Sequence, residues 1–240
     1  MSTHPLDGRR LVASALAAAA DWLVEPAEPE GSDGRTPPLE ARPVVAVVGL
    51  SARCGATTVA RALGAHLASR DPSGACAVTS ASPSGAAPLG LPAAARLARE
   101  LLPLAAGRAR ACGRLCLIES SDRGAVAAAV RYLAPLVIDL DARAAAAAAT
   151  EIADHVVLVG SPLTEPALAA VLGQSLRRVG PEPVTVLNRA PDDREGWAGR
   201  ATIELPESRM GARMALAGRE PRGALGKAIV ELAGHCGCWK

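Results

Sequence analysis

Residues 44–60, VVAVVGLSARCGATTVA, decide the fold that the sequence predicts. Their first five residues are small or β-branched, carry no charge and precede Gly49, which is typical of a buried parallel strand and its exit turn. After Gly55, apolar residues recur at helical spacing, so the first amides of that helix would point back into the turn. The stretch therefore predicts a strand, a phosphate-binding loop and a helix, although a tight turn that binds nothing is the alternative.

The loop matches only part of the phosphate-loop pattern G-x-x-x-x-G-K-[ST]. Gly55 takes the place of the second glycine, and Thr57 supplies the hydroxyl that would hold Mg²⁺. Leu50 stands where the first glycine belongs, and Ala56 stands where a lysine would reach the phosphates. The expected nucleotide-binding residues of the loop are Arg53, Cys54, Gly55, Ala56, Thr57 and Thr58.

The missing lysine has no obvious replacement from elsewhere in the sequence. The chain has only two lysines, Lys227 and Lys240, and Arg53 is the cationic residue nearest to the expected phosphates. A charge-assisted contact with phosphate is usually worth a few kcal/mol, so its loss weakens binding. We expect the loop amides and Arg53 to compensate for part of that loss.

The length and composition of the chain limit the fold classes and functions that are compatible with it. A chain of 240 residues, 50% of them hydrophobic, is long enough for one large α/β domain with an appendage. Its net charge is +2, which indicates no broad basic surface for nucleic acid. No run of about 18 apolar residues occurs, so we expect no transmembrane segment.

The six cysteines show no spacing typical of a disulfide framework, so we expect reduced thiols and a cytoplasmic protein. Cys76 and Cys116 lie in apolar runs and are expected in the core. His235, Cys236 and Cys238 form a terminal group that could hold a soft metal. Because three ligands are too few, we expect a free tail there instead.

Residues 1–40 differ in composition from the rest. Apolar residues recur at helical spacing from residue 8 to about residue 23, and a Pro- and Gly-rich linker follows. We expect a helix that packs on the domain or docks a partner, a tether, and then one domain over residues 41–240. The alternative is an export signal, because Arg9 and Arg10 precede an alanine-rich run.

From residue 42 onward, apolar runs alternate with helical stretches, which predicts βα units and a mostly parallel sheet. In such sheets, ligands bind at the carboxyl ends of the strands. The predicted strands are residues 44–49, 75–79, 114–119, 135–140, 155–160, 184–187 and 201–204. The predicted helices are residues 57–69, 92–106, 124–133, 142–153, 165–179, 210–217 and 222–234.

A second informative stretch is LVIDLD at residues 136–141, an apolar strand that ends in acid. In phosphate-loop proteins an aspartate at this place lies near Mg²⁺, so Asp139 is the candidate metal ligand beside Thr57. Asp141 lies on the same face by strand periodicity. The alternative is that Asp139 caps a helix or a turn.

These pieces, in this order, resemble the MinD/ParA group of P-loop ATPases from about residue 42 to the end. The loop of that group reads K-G-G-x-G-K-T-T, and residues 51–58 here read SARCGATT, with both lysines replaced. The second strand of the group ends in D-x-D-P, whereas this chain has SASP at residues 80–83. Residues 184–189, VTVLNR, resemble the strand that ends in the asparagine that reads the purine base, here Asn188.

The resemblance implies a three-layer α/β/α P-loop NTPase fold that binds ATP and Mg²⁺ and dimerises with nucleotide. Relatives place chromosomes, division machinery or pilus and secretion apparatus. Because the lysines and the Ser80 and Ser82 positions depart from the group, we expect little or no hydrolysis and no catalytic residue. A localisation or assembly factor with a protein partner or a homodimer is the expected function. The alternatives are an active ATPase with an atypical loop and a structural interaction protein with an empty site.

Overall fold

The computed structural model describes residues 41–80, 90–105, 108–119, 122–141, 152–190 and 196–238. The predicted N-terminal helix and linker, most of the predicted helix at residues 142–153, and Ser82 lie outside the described residues. The predicted domain boundary near residue 40 therefore stays a prediction.

The described residues form one sheet of eight strands. The strand order is β3-β4-β2-β5-β1-β6-β7-β8, and every neighbouring pair is parallel except β3 with β4. The strands are β1 (Val44–Gly49), β2 (Cys76–Thr79), β3 (Ala109–Cys112), β4 (Leu115–Ile118), β5 (Leu136–Asp141), β6 (His155–Gly160), β7 (Val184–Asn188) and β8 (Ile203–Leu205).

Helices pack on both faces of this sheet, as expected for parallel strands joined by crossover connections. The helices of the described part of the chain are α1 (Ala56–Arg70), α2 (Pro92–Leu101), α3 (Arg123–Val130), α4 (Pro166–Arg177), α5 (Arg209–Leu216) and α6 (Gly223–His235). None of them is long and apolar enough to cross a membrane.

Strand β1 lies between β5 and β6, and all six of its residues are buried. Val45 and Val47 belong to a core that includes residues of α1 and α6. The alternate residues, among them Ala46 and Val48, belong to a second core that includes residues of α2, α3 and α4. This pattern of burial on both faces confirms the predicted three-layer α/β/α architecture.

All seven predicted strands are present, with ends within two residues of the prediction. The prediction missed β3, a four-residue edge strand that is antiparallel to β4 and contains Arg110. An edge strand this short has no apolar run to reveal it. The predicted end of α2 at residue 106 is also wrong, because the helix ends at Leu101, shortly before Pro103, which has no amide hydrogen to continue the helical hydrogen bonds.

Helix α1 is the most buried of the described helices. Several of its polar and charged side chains have specific partners in other elements. Arg61 is 1% exposed and donates from Nη1 to the carbonyl of Leu216 at 3.2 Å, at the end of α5. Burial lowers the pKa of Arg61. His66 Nδ1 lies 2.6 Å from Glu220 Oε1, and Arg70 Nη1 lies 3.3 Å from the same oxygen. These contacts attach α1 to α5 and to the turn before α6.

Candidate functional site

The loop between β1 and α1 lies at the carboxyl end of the central strand. Leu50 continues the sheet pairing by donating its amide to the carbonyl of Val159 at 2.9 Å. Gly55 is the N-cap residue of α1, with φ of 91°, and no side chain caps this helix. Its first turn contains no acidic residue. Helix amides without a side-chain acceptor, together with the helix dipole, favour an anion at this end.

The end of β7 supports the loop from one side. Asn188 Nδ2 donates to the carbonyl of Cys54 at 2.8 Å, and the residue is only 9% exposed. A Cβ atom at Gly55 would lie 2.1 Å from Asn188 Nδ2. Glycine is therefore required at position 55 for two reasons, the positive φ and the close approach of the asparagine.

Arg189 extends this contact by one residue, and our sequence analysis did not select it. Its Nη2 donates to the carbonyl of Arg53 at 2.8 Å. Both arginines have positive φ, 58° at Arg189 and 59° at Arg53, a conformation that is uncommon outside glycine. Successive residues at the end of β7 thus donate to successive carbonyls of the loop. The only signal in the sequence was a cation directly after the candidate asparagine.

The other side of the loop is attached to the connection between β6 and α4. Ser51 Oγ and Thr164 Oγ1 are 2.7 Å apart, and Thr164 Oγ1 also accepts the amide of Ser161 at 2.9 Å. Ser161 and Thr164 are both buried. The loop is therefore fixed by side chains at or after the carboxyl ends of two neighbouring strands, β6 and β7, which preorganises its backbone.

A cavity of about 270 Å³ opens beside the loop, between α1, the end of β7, the segment after β8, α5 and α6. Gly55, Thr58 and Asn188 contribute to its wall. Its apolar lining comes from Val59, Ala62, Leu205, Leu225 and Ile229. Charged residues that line it are Arg53, Arg189, Arg209 and Glu207. The cavity thus combines an apolar interior with more positive than negative side chains.

Thr57 and Asp139, the predicted metal ligands, lie together. Thr57 Oγ1 donates to Asp139 Oδ2 at 2.7 Å, and Ser80 Oγ donates to the same oxygen at 3.2 Å. Burial raises the pKa of Asp139, although these two hydrogen bonds and the charges of Arg61 and Arg123 oppose the rise. A hydroxyl and a carboxylate are oxygen ligands that suit Mg²⁺. That they hold the metal stays a prediction.

Asp141 ends β5 opposite Gly49 in the sheet register and is exposed. The two positions are one strand apart at the same edge of the sheet as the loop. Asp139 and Asp141 are both residues of β5 and lie two positions apart, so the strand places them on one face of the sheet, as predicted.

The free tail predicted at the carboxyl terminus is wrong. Cys236 and Cys238 are 1% and 8% exposed and belong to the core on the α1 face. Gly237, with φ of 60°, donates its amide to Gly234, and the amide of Cys238 reaches the carbonyl of Ala233. This is the Schellman arrangement, in which the residue after the glycine packs against the helix.

All six cysteines are buried and free, which confirms the expected burial of Cys76 and Cys116. Within the described part of the chain, no group of three or more His, Cys, Asp or Glu side chains could hold a metal ion. The terminal cysteines are thus explained by packing.

A comparison with protein-family models gives no match, and neither does one with curated protein sequences. Solved structures do match. A ParA family ATPase from Chlorobium tepidum TLS has a TM-score of 0.57 at 18% identity, over 82% of this chain and 99% of its own. A chain of the MinC:MinD cell division protein complex from Aquifex aeolicus has a TM-score of 0.56 at 15% identity, over 82% of this chain and 96% of its own.

A third similar structure holds a nucleotide. It is a variant of McdA from Cyanothece in complex with ATP, with a TM-score of 0.57 at 16% identity. The match covers 84% of this chain and 98% of the McdA chain. At these identities the likeness concerns the fold, and it extends over nearly the whole of each of these structures.

Proposed function

Because this chain has the MinD/ParA-like P-loop fold, we propose that it binds a purine nucleotide, ATP, at residues 50–58. The observation that carries the proposal is the uncapped amino end of α1 beside the cavity. There Gly55 brings the loop backbone close to Asn188, and the cavity of about 270 Å³ begins at Gly55 and Thr58. Phosphates would bind the loop amides, and the base would enter the cavity near Asn188.

The cavity suits the less polar part of such a ligand. Small-molecule pockets are mainly apolar and carry a few polar groups that fix orientation. Here the apolar wall contains Val59 and Ile229, whereas Asn188 and Thr58 supply polar groups near the loop. The ATP complex of the McdA variant supports a nucleotide at this fold.

Thr57 and Asp139 would hold Mg²⁺, because their oxygens lie 2.7 Å apart at the start of α1. When bound, the metal would neutralise part of the charge of the phosphates. Thr57 would offer its hydroxyl and Asp139 its carboxylate, and Ser80 would keep the carboxylate oriented through its own hydrogen bond. The role of these residues is to bind and orient.

We further propose that hydrolysis is slow or absent. Phosphoryl transfer depends on positioned charges far more than ground-state binding does. Ala56 takes the place of a lysine in the loop, and Ser80 takes the place of an acid at the end of β2. Binding features are therefore better preserved than features needed for turnover, which makes this a pseudo-ATPase.

A protein that binds nucleotide without turnover acts through interaction. We propose a cytoplasmic localisation or assembly factor that functions with a protein partner or as a homodimer. Support comes from exposed apolar residues next to the loop: Leu163 is 93% exposed, Leu168 46% and Val171 66%. They lie in and before α4, and Thr164 connects this segment to Ser51. Exposed apolar patches often mark interaction sites, and these three side chains belong to one short segment of the chain.

Calorimetric titration with ATP, with and without Mg²⁺, tests the proposal on the native chain and on Gly55→Val. The valine side chain would collide with Asn188, so we expect heat of binding from the native chain alone. With ATP and Mg²⁺, the native chain should release phosphate no faster than Thr57→Ala, the variant that serves as the background control for hydrolysis. Equal heats for native and Gly55→Val would overturn nucleotide binding, and phosphate release well above Thr57→Ala would identify an active ATPase.

A further inference from the structure

The fold places a positive charge at the loop from a different strand. We infer that Arg189, at the end of β7, supplies the cation that the loop sequence lacks and binds the phosphate groups of the ligand. This inference rests on the proposed function, because it names a residue of the same site. Arg189 lies 136 positions from Arg53 in sequence, and its guanidinium is nevertheless bonded to the loop.

The geometry leaves Arg189 able to bind an anion. Its Nη2 is 2.8 Å from the carbonyl of Arg53, and a guanidinium has five N–H donors, so one contact with the loop leaves others for a ligand. The residue is exposed and lines the cavity together with Gly55 and Thr58. The charge therefore lies beside the loop, on the cavity wall to which Gly55 and Thr58 also contribute.

Two other arginines line the same cavity, and their placement differs. Arg53 and Arg209 are exposed, and in the described part of the chain no hydrogen bond attaches either guanidinium to the loop. The guanidinium of Arg189 is held in place by its hydrogen bond to the carbonyl of Arg53. A side chain that is already ordered loses less conformational entropy on binding, which favours Arg189 as the cation.

As a consequence, the positive charge at the phosphate-binding loop would come from a residue at the end of β7 and not from the loop itself. In the phosphate-loop pattern the lysine belongs to the same helix start that binds the phosphates. Here the cation would reach the site from the residue after Asn188, which itself bonds the carbonyl of Cys54. Asn188, which lines the cavity, and Arg189, which would bind the phosphates, would then be neighbours in one short segment at the end of β7.

The test compares four variants with the native chain: Arg189→Ala, Arg189→Lys, Arg53→Ala and Arg200→Ala. Arg200 is an exposed arginine that does not line this cavity, which makes its alanine variant the matched control for lost surface charge. The probes are ATP and inorganic tripolyphosphate, titrated by calorimetry at low and high salt. Melting temperatures verify that every variant is folded.

We expect Arg189→Ala to weaken both probes by about 10- to 100-fold, the usual effect of a lost charged hydrogen bond. Its affinity should also depend less on salt than that of the native chain. Arg189→Lys keeps the charge and should stay within about fivefold of native, and Arg200→Ala should match native. If Arg189→Ala does not fold, a native-like affinity and salt dependence in Arg189→Lys support the role of its charge.

Three other outcomes would overturn one proposal or both. If Arg189→Ala binds ATP as the native chain does, the inference is wrong and nucleotide binding stands; a loss confined to Arg53→Ala would assign the charge to Arg53. If the native chain binds tripolyphosphate but not ATP, and Arg189→Ala loses tripolyphosphate, the nucleotide proposal is wrong and the inference stands. If the native chain binds neither probe, both are wrong.

Discussion

The two ends of α1 satisfy their polar groups differently. At the carboxyl end, His66 and Arg70 contact Glu220, and Ser69 donates its hydroxyl to the carbonyl of His66 at 2.8 Å. At the amino end, Gly55 provides no side-chain acceptor. The amino end of a helix leaves orphan amides and the carboxyl end leaves orphan carbonyls, which a side chain, water or a ligand must satisfy. The carboxyl end obtains its partners from the protein, and the amino end is left for an anion.

Because of this difference, we expect the amino end of α1 to contribute to ligand binding and the carboxyl end to contribute to the stability of the fold. Contacts at the carboxyl end involve no residue that lines the cavity, and they connect α1 to the turn before α6. Contacts at the amino end, from Asn188 and Arg189, order the loop without covering the helix amides with an acid. Changes at the amino end should therefore alter ligand binding strongly, whereas changes at the carboxyl end should alter unfolding alone.

The largest effect is expected from Gly55→Ala. Its Cβ would lie 2.1 Å from Asn188 Nδ2, so the loop or the asparagine must move. A lost hydrogen bond to a charged group can cost about 3 kcal/mol, so we expect ATP affinity to fall by about 100-fold when the loop amides are displaced. The free energy of unfolding should also drop by about 1–2 kcal/mol from the positive φ alone. Calorimetry and urea unfolding measure the two quantities.

Gly199→Ala is the matched control, because Gly199 has φ of 70° and a Cβ there would have no atom within 4 Å. It shares the backbone strain of Gly55→Ala without the collision. We expect the free energy of unfolding to fall by a similar amount because of the backbone strain, and we expect no change in ATP affinity. Equal ATP affinity in native and Gly55→Ala would show that the loop does not bind the ligand.

A smaller change in affinity, in the opposite direction, is expected from Ala56→Lys. The new ammonium would face the phosphates from the first turn of α1 and should tighten ATP by about 1 to 3 kcal/mol. Ala52→Lys adds the same charge at an exposed position of the same loop and serves as the control. If both variants tighten ATP equally, the effect comes from general charge, and the amino end of α1 has no specific phosphate position.

The smallest effect is expected at the carboxyl end, from Glu220→Gln. Burial alone would raise the pKa of Glu220, but the hydrogen bond from His66 and the nearby charges of His66 and Arg70 lower it below 4.5. The contact therefore contributes stability above pH 4.5 that is lost as the pH falls through the lower pKa of the folded state. Because the side chain is 36% exposed, we expect at most about 1 kcal/mol.

Urea unfolding between pH 3 and pH 7 measures this contribution. The native chain should lose more free energy of unfolding on acidification than Glu220→Gln, and at pH 7 the two should bind ATP equally. A change in ATP affinity in Glu220→Gln would contradict the separation between the two ends of α1.

The sequence alone was sufficient for β1, the loop and α1, because strand and helix periodicities are local and Gly55 follows directly from the loop pattern. It also placed Asp139 beside Thr57 as a metal ligand, because phosphate-loop proteins have an aspartate near Mg²⁺ at this place. The distance of 2.7 Å between their oxygens agrees with that placement. It did not reveal β3, because this edge strand, which pairs with β4, contains no apolar run that a sequence pattern could detect.

Only the tertiary structure decided which side chains hold the loop. The bond from Arg189 to the carbonyl of Arg53 joins residues 136 positions apart. Both arginines have positive φ, and no local pattern predicts that backbone for residues other than glycine. The burial of Cys236 and Cys238 likewise depends on the turn that ends α6 and on the core beneath it. Local patterns determine elements and their order, whereas contacts between distant residues exist only once the sheet has brought them together.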